Sequence, residues 1–315
     1  MDATFPQPPL APTVSPEARA ALAPLLASLD QPRPELSIEQ MRAFAGAMMG
    51  AVVQRRAPGQ KVVVTPGVFG GVPAHIVSRD GALPQDGPLL LNFHGGGFQV
   101  DSGSLAESMP IAELTDLPVV ALLYRLAPEH PFPAAVDDAL AAYRAALETR
   151  PATQIAIFGT SAGAGLCAQL IARLRREKLP LPAAMGFFSG SADTELPGDI
   201  EGYLPPLLPG QSVPRTLDPY LGAADRRDPL VSPIHDALEG WPPTLLMTST
   251  RDILLSQTVR FHLALRAAGV PVELLVYEGM PHAFWAFADC PETDAAFAAQ
   301  GRFLAEAVRA GLARR

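Results

Sequence analysis

Cysteine and positive charge are scarce in this sequence, and each shortage excludes a class of protein. The 315 residues include only two cysteines, which is too few for a disulfide framework. Cys167 lies in an apolar helical pattern and is expected to be buried, whereas Cys290 lies in a polar turn where its thiol can be exposed. The net charge of −8 and the pI near 5.3 argue against nucleic-acid binding, because phosphate contacts need a basic surface.

Long hydrophobic runs and a secretion signal are also missing. The apolar run from Leu117 to Tyr124 stops at Arg125, well short of the roughly 18 residues that a membrane-spanning helix needs. The N-terminus carries neither a basic region nor an apolar stretch of the kind found in secretion signals. We therefore expect a soluble, cytoplasmic protein with no membrane span.

What the sequence does contain is 48% hydrophobic and 18% charged residues, enough for a large folded core. After residue 60, strand and helix patterns alternate, which predicts a three-layer α/β sandwich. The strand candidates are Lys61–Phe69, Ala74–Ser78, Pro88–Phe93, Pro118–Tyr124, Gln154–Phe158, Ala183–Phe188, Thr244–Thr248 and Val272–Tyr277. The helical patterns are Ser104–Thr115, Phe132–Glu148, Ala162–Lys178, Leu254–Ala268 and Ala295–Ala313. We expect the first two strands to pair antiparallel at one edge, and the last six to be buried on both faces of a parallel sheet.

Two regions depart from this alternation. The first 60 residues hold prolines and two helical patterns, from about Pro16 to Leu29 and from Ser37, a good N-cap candidate, to Arg55. The second pattern carries one broad apolar face, formed by Met41, Phe44, Met48, Met49 and Val52. Residues 192–227 are rich in proline, glycine and aspartate with no clear strand, and so long an irregular segment is usually functional or mobile.

Three consecutive glycines follow the predicted strand that ends at Phe93, in the order His94-Gly-Gly-Gly97. Glycine reaches backbone angles that aim successive N–H groups into one cavity, and it leaves no side chain in the way. Gly95 and Gly96 are therefore the candidate donors to a developing oxyanion. We expect His94 to be structural, holding the loop by a bond to the backbone.

A second strand runs into Gly159-Thr-Ser-Ala-Gly163 and then into a helix. A reactive serine must project from a tight strand-to-helix turn, so the residues two positions to either side must be very small. This pattern predicts Ser161 as a nucleophile and the N–H of Ala162 as a third oxyanion donor. The alternative, a dinucleotide site starting at Gly163, is disfavoured because Gly163 already lies in the helix and the next strand ends without a carboxylate.

A base and an acid for this serine are expected on loops after later strands. His282 follows the last strand candidate, and Asp252 follows the one before it. The chain order of serine, aspartate and histidine is the one that α/β-hydrolases use. His282 is therefore the candidate general base and Asp252 its orienting acid, with Asp228 and Glu278 as weaker competitors for the acid.

These residues resemble the hormone-sensitive-lipase family of α/β-hydrolases, in its bacterial branch called family IV esterases. The resemblance covers nearly everything after residue 60 and rests on His94–Gly97, Tyr124–Pro133, Gly159–Gly163, Asp228–Pro233, Arg251–Leu254 and Pro281–Phe284. Thr160 replaces the aspartate that many members carry, which places the chain in the Gly-Thr-Ser-Ala-Gly subgroup. The family implies a mostly parallel eight-stranded sheet, hydrolysis of small short-chain esters and no cofactor. Subgroup members are often dimers, so a homodimer is a further expectation.

The family also implies a helical cap over a catalytic domain. We expect residues 1–60 to form the N-terminal part of the cap, residues 61–315 to form the catalytic domain, and residues 192–227 to contribute to the cap. Candidates for the wall of an acyl pocket are Met41, Phe44, Met48, Met49, Phe98, Leu204 and Leu207, for which ordinary packing between cap and body is an equal alternative. Glu129 is a candidate to brace the loops near the serine.

The reaction itself stays open to three interpretations. Ester hydrolysis is the first, and an amidase or a lactonase would use the same three side chains with a different leaving group. A non-catalytic binding protein on the same scaffold is the third, disfavoured because His282 and Asp252 are both present.

Overall fold

A central sheet organises the part of the chain that this computed structural model describes, residues 9–28, 36–204 and 213–312. Its strands are β1 (Val63–Phe69), β2 (Val72–Ser78), β3 (Leu89–Phe93), β4 (Val119–Leu122), β5 (Ile155–Thr160), β6 (Ala184–Phe188), β7 (Thr244–Arg251) and β8 (Val272–Pro281). In space they lie in the order β1-β2-β4-β3-β5-β6-β7-β8. β2 is antiparallel to both of its neighbours, and the remaining pairs are parallel.

All the predicted strands are present, with ends that move by up to four residues, so the mostly parallel sheet is confirmed. The predicted antiparallel pair at one edge is also confirmed, and its turn uses Gly70 and Gly71 at φ angles of 60° and 80°. The prediction that the last six strands are buried on both faces is wrong for β8. This strand forms the opposite edge of the sheet, so Glu273 and Val276 are exposed.

Helices cover both faces of the sheet. They are α1 (Pro16–Ser28), α2 (Ile38–Arg56), α3 (Ser104–Thr115), α4 (Ala134–Leu147), α5 (Ala162–Arg176), α6 (Val213–Thr216), α7 (Asp218–Leu221), α8 (Leu255–Ala267) and α9 (Pro291–Leu312). Side chains of α4, α5 and α8 share one hydrophobic core, and those of α1, α3 and α9 share the other. Among the described residues, no helix is both long and apolar enough to cross a bilayer.

Alternating strand residues feed these two cores, as the two-residue period of a strand requires. In β3, Leu89, Leu91 and Phe93 pack into the core of α4, α5 and α8, whereas Leu90 packs into the other. Cys167 belongs to the first core and Cys290 to the second, where Cys290 is 6% exposed. The expected burial of Cys167 is therefore confirmed. The suggestion of an exposed Cys290 thiol is wrong, because Cys290 leads directly into α9 and its side chain packs into the second core.

Residues 9–28 are anchored to the part of the chain that holds β7, β8 and α9. The Arg251 guanidinium donates to the carbonyl of Pro9 (3.0 Å), and the Ser15 hydroxyl donates to the Glu292 carboxylate (2.8 Å). Val14 fills the space beside Gly279, where an added Cβ would come within 2.5 Å of it. α1 is therefore part of the main core, and the change of sequence character near residue 60 is not a break in packing.

The helix α2 lies across α3 and begins as predicted. Ser37 and Gln40 exchange hydrogen bonds of 3.3 and 2.9 Å in a capping box. Its buried face is formed by Ala45, Met49 and Val52. Phe44 and Met48 are 63% and 41% exposed, so only part of the predicted broad apolar face contacts the body of the protein.

The irregular segment 192–227 holds a 3₁₀ turn at Asp199–Gly202 and the short helices α6 and α7, and its described residues form no strand. The carboxylate of Glu201 accepts from the backbone N–H of Val213 and from the Gln257 amide, both at 2.7 Å. This side chain thereby joins two parts of the segment to α8. Leu207 lies outside the described residues.

Candidate active site

Ser161 sits at a sharp turn between β5 and α5, which we call the serine turn (Gly159–Gly163). Its φ and ψ angles of 58° and −118° are unusual for a residue with a side chain. The glycines allow the close crossing, because a Cβ would lie 2.5 Å from the Phe93 carbonyl oxygen at Gly159 and 1.9 Å from it at Gly163. The Ser161 N–H donates to the carbonyl of Phe188 (2.8 Å), which fixes the turn to the end of β6.

The three side chains proposed from the sequence form one hydrogen-bonded chain. His282 Nε2 lies 3.0 Å from Ser161 Oγ, and His282 Nδ1 lies 2.7 Å from Asp252 Oδ1. Asp252 follows β7 and His282 follows β8, and the carboxyl ends of these parallel strands meet at the same edge as the serine turn. With Nδ1–H donating to the carboxylate, Nε2 can accept the serine hydroxyl proton.

Asp252 is fully buried, yet its surroundings favour the carboxylate. The Thr248 hydroxyl donates to Oδ2 and the Leu254 N–H donates to Oδ1, each at 2.8 Å. Burial by itself raises the pKa, but the charge and hydrogen bond of His282, with further hydrogen bonds from Ser189 and Leu254, hold the pKa below its usual value. A charged carboxylate at this point keeps the imidazole oriented toward Ser161.

The glycine loop (His94–Gly97) lies directly against the serine turn. A Cβ on Gly95 would come within 3.3 Å of the Ser161 Cβ, so no larger residue fits without displacement. Within the described part of the chain, no acceptor takes a hydrogen bond from the N–H of Gly95 or Gly96. Ala162 opens α5, where the first N–H groups of a helix have no partner within it. The three backbone groups proposed as oxyanion donors are therefore uncommitted beside Ser161.

His94 is structural in its contacts, as expected. It is 1% exposed, its Nδ1 lies 2.8 Å from the Gly95 carbonyl oxygen, and its ring stacks on Tyr124 with centroids 4.2 Å apart. The Tyr124 hydroxyl donates to the His94 carbonyl (2.7 Å). The imidazole therefore ties the glycine loop to the segment after β4.

The backbone from the end of the glycine loop into Phe98 runs through three positive φ angles, 112° at Gly96, 63° at Gly97 and 61° at Phe98. Such a conformation persists only when its surroundings hold it. The Phe98 carbonyl accepts from the N–H of Ala127 (2.8 Å), and the Phe98 ring stacks on Tyr220 with centroids 3.6 Å apart. The turn is held on both sides.

Arg42 of α2 contacts this same turn and was not identified from the sequence. Its Nε donates to the Gln99 carbonyl (2.9 Å) and its Nη2 to the Ala127 carbonyl (3.0 Å). Both terminal nitrogens also donate to Glu129, at 2.8 and 2.7 Å. Glu129, expected to brace the loops, thus acts on them through Arg42. A lone arginine on a helix gives no sequence signal for such a long-range contact.

The candidate pocket residues do not form one cluster. Phe98 is buried beside the start of α5, and Leu204 packs on a small apolar group of Val213, Ile253 and Leu254 next to Asp252. Phe44 and Met48 face solvent and Met41 is half-buried on the same helix, while Leu207 is outside the described residues. A pocket role is best supported for Phe98 and Leu204.

Comparison with known proteins decides the family. A family profile described as alpha/beta hydrolase fold matches residues 90–286, more than half of the chain. An acetyl-hydrolase of Streptomyces hygroscopicus is 36% identical over 235 residues, which cover 72% of this chain and 79% of that protein. An esterase structure described as belonging to the bacterial hormone-sensitive lipase family has a TM-score of 0.81 at 29% identity, covering 94% of this chain and 99% of the other.

The chain belongs to the hormone-sensitive-lipase family of α/β-hydrolases. The carboxylesterase NlhH of Mycobacterium tuberculosis is a further relative, 34% identical over 241 residues, which cover 71% of this chain and 74% of that protein. The family assignment made from sequence motifs is therefore confirmed, and so is the α/β-hydrolase fold.

Proposed function

We propose that this chain hydrolyses short-chain carboxylic esters through a covalent acyl intermediate on Ser161. Its family membership makes it a carboxylic ester hydrolase, and relatives are named acetyl-hydrolase and carboxylesterase. The observation that carries the proposal is the hydrogen-bonded chain from Ser161 Oγ to His282 Nε2 (3.0 Å) and from His282 Nδ1 to Asp252 Oδ1 (2.7 Å). This arrangement activates a serine oxygen and holds the base in the tautomer that it needs.

In the first step, Ser161 Oγ attacks the ester carbonyl carbon while His282 Nε2 takes the hydroxyl proton. The resulting imidazolium is stabilised by Asp252, which keeps its negative charge throughout. The carbonyl oxygen becomes an oxyanion, and the N–H groups of Gly95, Gly96 and Ala162 donate to it. Each such donor typically stabilises the transition state by about 3 kcal/mol.

Collapse of this intermediate breaks the bond to the alcohol, which leaves with the proton held on His282 Nε2. Water then enters, His282 takes a proton from it, and the hydroxide attacks the acyl carbon on Ser161. The second intermediate expels Ser161 Oγ, which recovers its proton from His282. The carboxylic acid leaves, and the site returns to its starting state.

The division expected from the sequence is a cap of residues 1–60 and 192–227 over a catalytic domain of residues 61–315. Since α1 packs into the main core, we propose that α2 and segment 192–227 are the parts that limit the acyl chain. Phe98 and Leu204 are the central residues of the proposed acyl pocket, and Met41, Phe44, Met48 and Leu207 stay candidates from the sequence alone. A homodimer and a cytoplasmic location stay predictions of the sequence.

The test is the Ser161→Ala variant, assayed with p-nitrophenyl butyrate. We expect kcat to fall by about 10⁶-fold, as in other serine triads. Labelling by a fluorophosphonate should occur in the wild type and disappear in the variant. Wild-type turnover by the variant would reject Ser161 as nucleophile, and absence of labelling in the wild type would favour a binding protein.

The same assay with a series of acyl chain lengths tests the short-chain proposal. We expect kcat/KM to be highest for short acyl groups and to fall beyond about eight carbons, because the cap limits the length of an apolar pocket. Adding an anilide and a lactone to the panel separates ester hydrolysis from amidase and lactonase activity. A preference for long-chain triglycerides would contradict the proposal.

A further inference from the structure

A second buried carboxyl group lies behind the serine turn, on α3. Glu107 is 2% exposed, and its carboxyl group lies between the ends of β3 and β5. The amide of Asn92, in β3, lies 3.4 Å from Glu107 Oε2, and the hydroxyl of Thr160, at the end of β5, lies beside the same carboxyl group and counteracts the rise of its pKa. Asn92 is fully buried and Thr160 is 2% exposed, so no part of this contact faces solvent.

Trp285 extends the contact to the loop of His282. Its indole Nε1–H donates to Thr160 Oγ1 at 3.2 Å, and its ring is fully buried. Since the Thr160 hydroxyl accepts from Trp285, its own hydrogen is free to be donated to Glu107. Asn92 precedes the glycine loop, Thr160 precedes Ser161, and Trp285 follows His282. One buried hydrogen-bonded cluster therefore touches all three segments that bring the site together.

We propose that Glu107 and Thr160 are a matched pair of positioning residues that fix the serine turn relative to the glycine loop and the His282 loop. The effect of this pair on catalysis rests on the proposed function, but the contact between the two side chains does not. Neither side chain touches the substrate, because both lie behind Ser161. Their contribution is to the orientation of the residues that do.

The pairing requires a neutral carboxylic acid at position 107. Burial raises the pKa of Glu107 to about 8 against the hydrogen bonds from Thr160 and Asn92. Asp101 raises it further and Arg56 lowers it, and the nearby Tyr124 and Cys167 are uncharged at neutral pH. Among the described residues, nothing donates to Oε1, which a neutral acid tolerates and a buried carboxylate does not.

A second carboxyl group at position 160 should therefore be incompatible with Glu107. Thr160→Asp removes the hydroxyl that links Trp285 to Glu107 and places two acids in one dry space, where at most one can ionise. We expect kcat, measured per fluorophosphonate-titrated Ser161, to fall by about 100-fold. A loss of this size is typical when reacting groups are displaced by about an ångström. KM should change by less than about threefold, because the substrate contacts are elsewhere.

The decisive measurement is the double variant Thr160→Asp with Glu107→Gln. A glutamine amide can donate to the new aspartate, so kcat should recover by about 10-fold or more, a non-additive effect that contacting residues show. The matched control is Thr115→Asp, on α3 and also 2% exposed. Within the described residues, the Thr115 side chain bonds only to the Ile111 carbonyl of its own helix and to the N–H of Leu117. Glu107→Gln should give no recovery in that background.

Two results would overturn the pairing: wild-type kcat in Thr160→Asp, or equal kcat in the single and double variants. If Thr160→Asp yields no folded protein, recovery of soluble, folded protein in the double variant but not in the Thr115→Asp control supports the pairing, and failure in both opposes it. Folding is read by circular dichroism and does not depend on activity. A failure of Ser161→Ala to lose turnover would therefore reject the proposed reaction and leave this pairing standing.

Discussion

Asp252 and Glu107 are two buried carboxyl groups near the same serine turn, but they differ in charge. At neutral pH Asp252 is a carboxylate and Glu107 is a neutral acid. Asp252 receives the His282 ring, a threonine hydroxyl and a backbone N–H at 2.7 to 2.8 Å, and its pKa is lowered despite full burial. Glu107 receives an amide at 3.4 Å and the Thr160 hydroxyl, and burial raises its pKa to about 8. Burial alone does not set protonation; the number and charge of nearby donors decide it.

The largest expected difference between the two regions is in turnover. Asp252→Asn keeps the shape but loses the charge that orients His282, and we expect kcat to fall by about 10⁴-fold, as in other triads. Glu107→Gln removes a carboxyl group that is already neutral, so kcat should stay within about threefold at pH 7. Steady-state kinetics on p-nitrophenyl butyrate with both variants checks this. Equal losses would mean that the two carboxyl groups are not distinguished by charge.

The next difference is in how stability depends on pH. The folded-state pKa of Glu107, about 8, exceeds its ordinary value of 4.5, so the folded state holds a proton that the unfolded state has released between these values. Its contribution to stability is therefore lost as pH rises through this window. Asp252, with a lowered pKa, contributes stability above its ordinary value of 3.8 and loses it only as pH falls through the lower folded-state value.

Melting curves at pH 5 and pH 8 measure this directly. Glu107→Gln abolishes the proton linkage, so the Tm of the variant minus that of the wild type should increase by about 5 °C from pH 5 to pH 8. Asp252 stays charged in both states across this range and should not contribute to the change. A difference in Tm that is constant with pH would show that Glu107 is ionised throughout.

The smallest expected effect comes from the surface contact of α2. Arg42→Ala removes the donors to the Gln99 and Ala127 carbonyls beside the strained turn, and we expect kcat to fall by about 3- to 10-fold with KM nearly unchanged. Arg42 and Glu129 are partly exposed, with side-chain exposures of 31% and 50%, so the ion pair itself adds little stability.

Arg55→Ala is the matched control for that prediction. It breaks an ion pair with Asp289 from the same helix, between side chains 51% and 44% exposed, away from the glycine loop. Its kcat should remain within about twofold of the wild type, because surface substitutions of this kind change stability only slightly. Equal losses in both variants would assign the Arg42 effect to loosening of α2 as a whole.

Short-range patterns made most of the fold and site predictable. Gly159 and Gly163 are needed because the backbones of β3 and α5 come within contact distance there. The sequence shows this requirement as two glycines at equal spacing on either side of Ser161. Asp252 and His282 were found because each follows a strand of a parallel sheet, whose carboxyl ends share one edge. Each of these residues was recognised from its neighbours in the chain, such as a preceding strand or a flanking glycine, and neighbours of this kind can be read directly from the sequence.

Contacts between distant segments were not predictable in this way. Arg42 reaches Gln99, just after the glycine loop, across 57 positions of the chain, and Glu107 faces Thr160 from α3, yet both occur in ordinary helical patterns. The exposure of Phe44 has the same origin, since the rotation of α2 is set by what it packs on rather than by its own apolar residues. These features need the tertiary arrangement to be visible.

The contacts of Pro9, Val14 and Ser15 with Arg251, Gly279 and Glu292 carry a practical consequence for handling the protein. Arg251 directly precedes Asp252, and Gly279 lies three residues before His282, so this early segment supports the backbone beside both side chains. Cleavage by a protease before α1 should therefore disturb the imidazole more than its distance along the chain suggests.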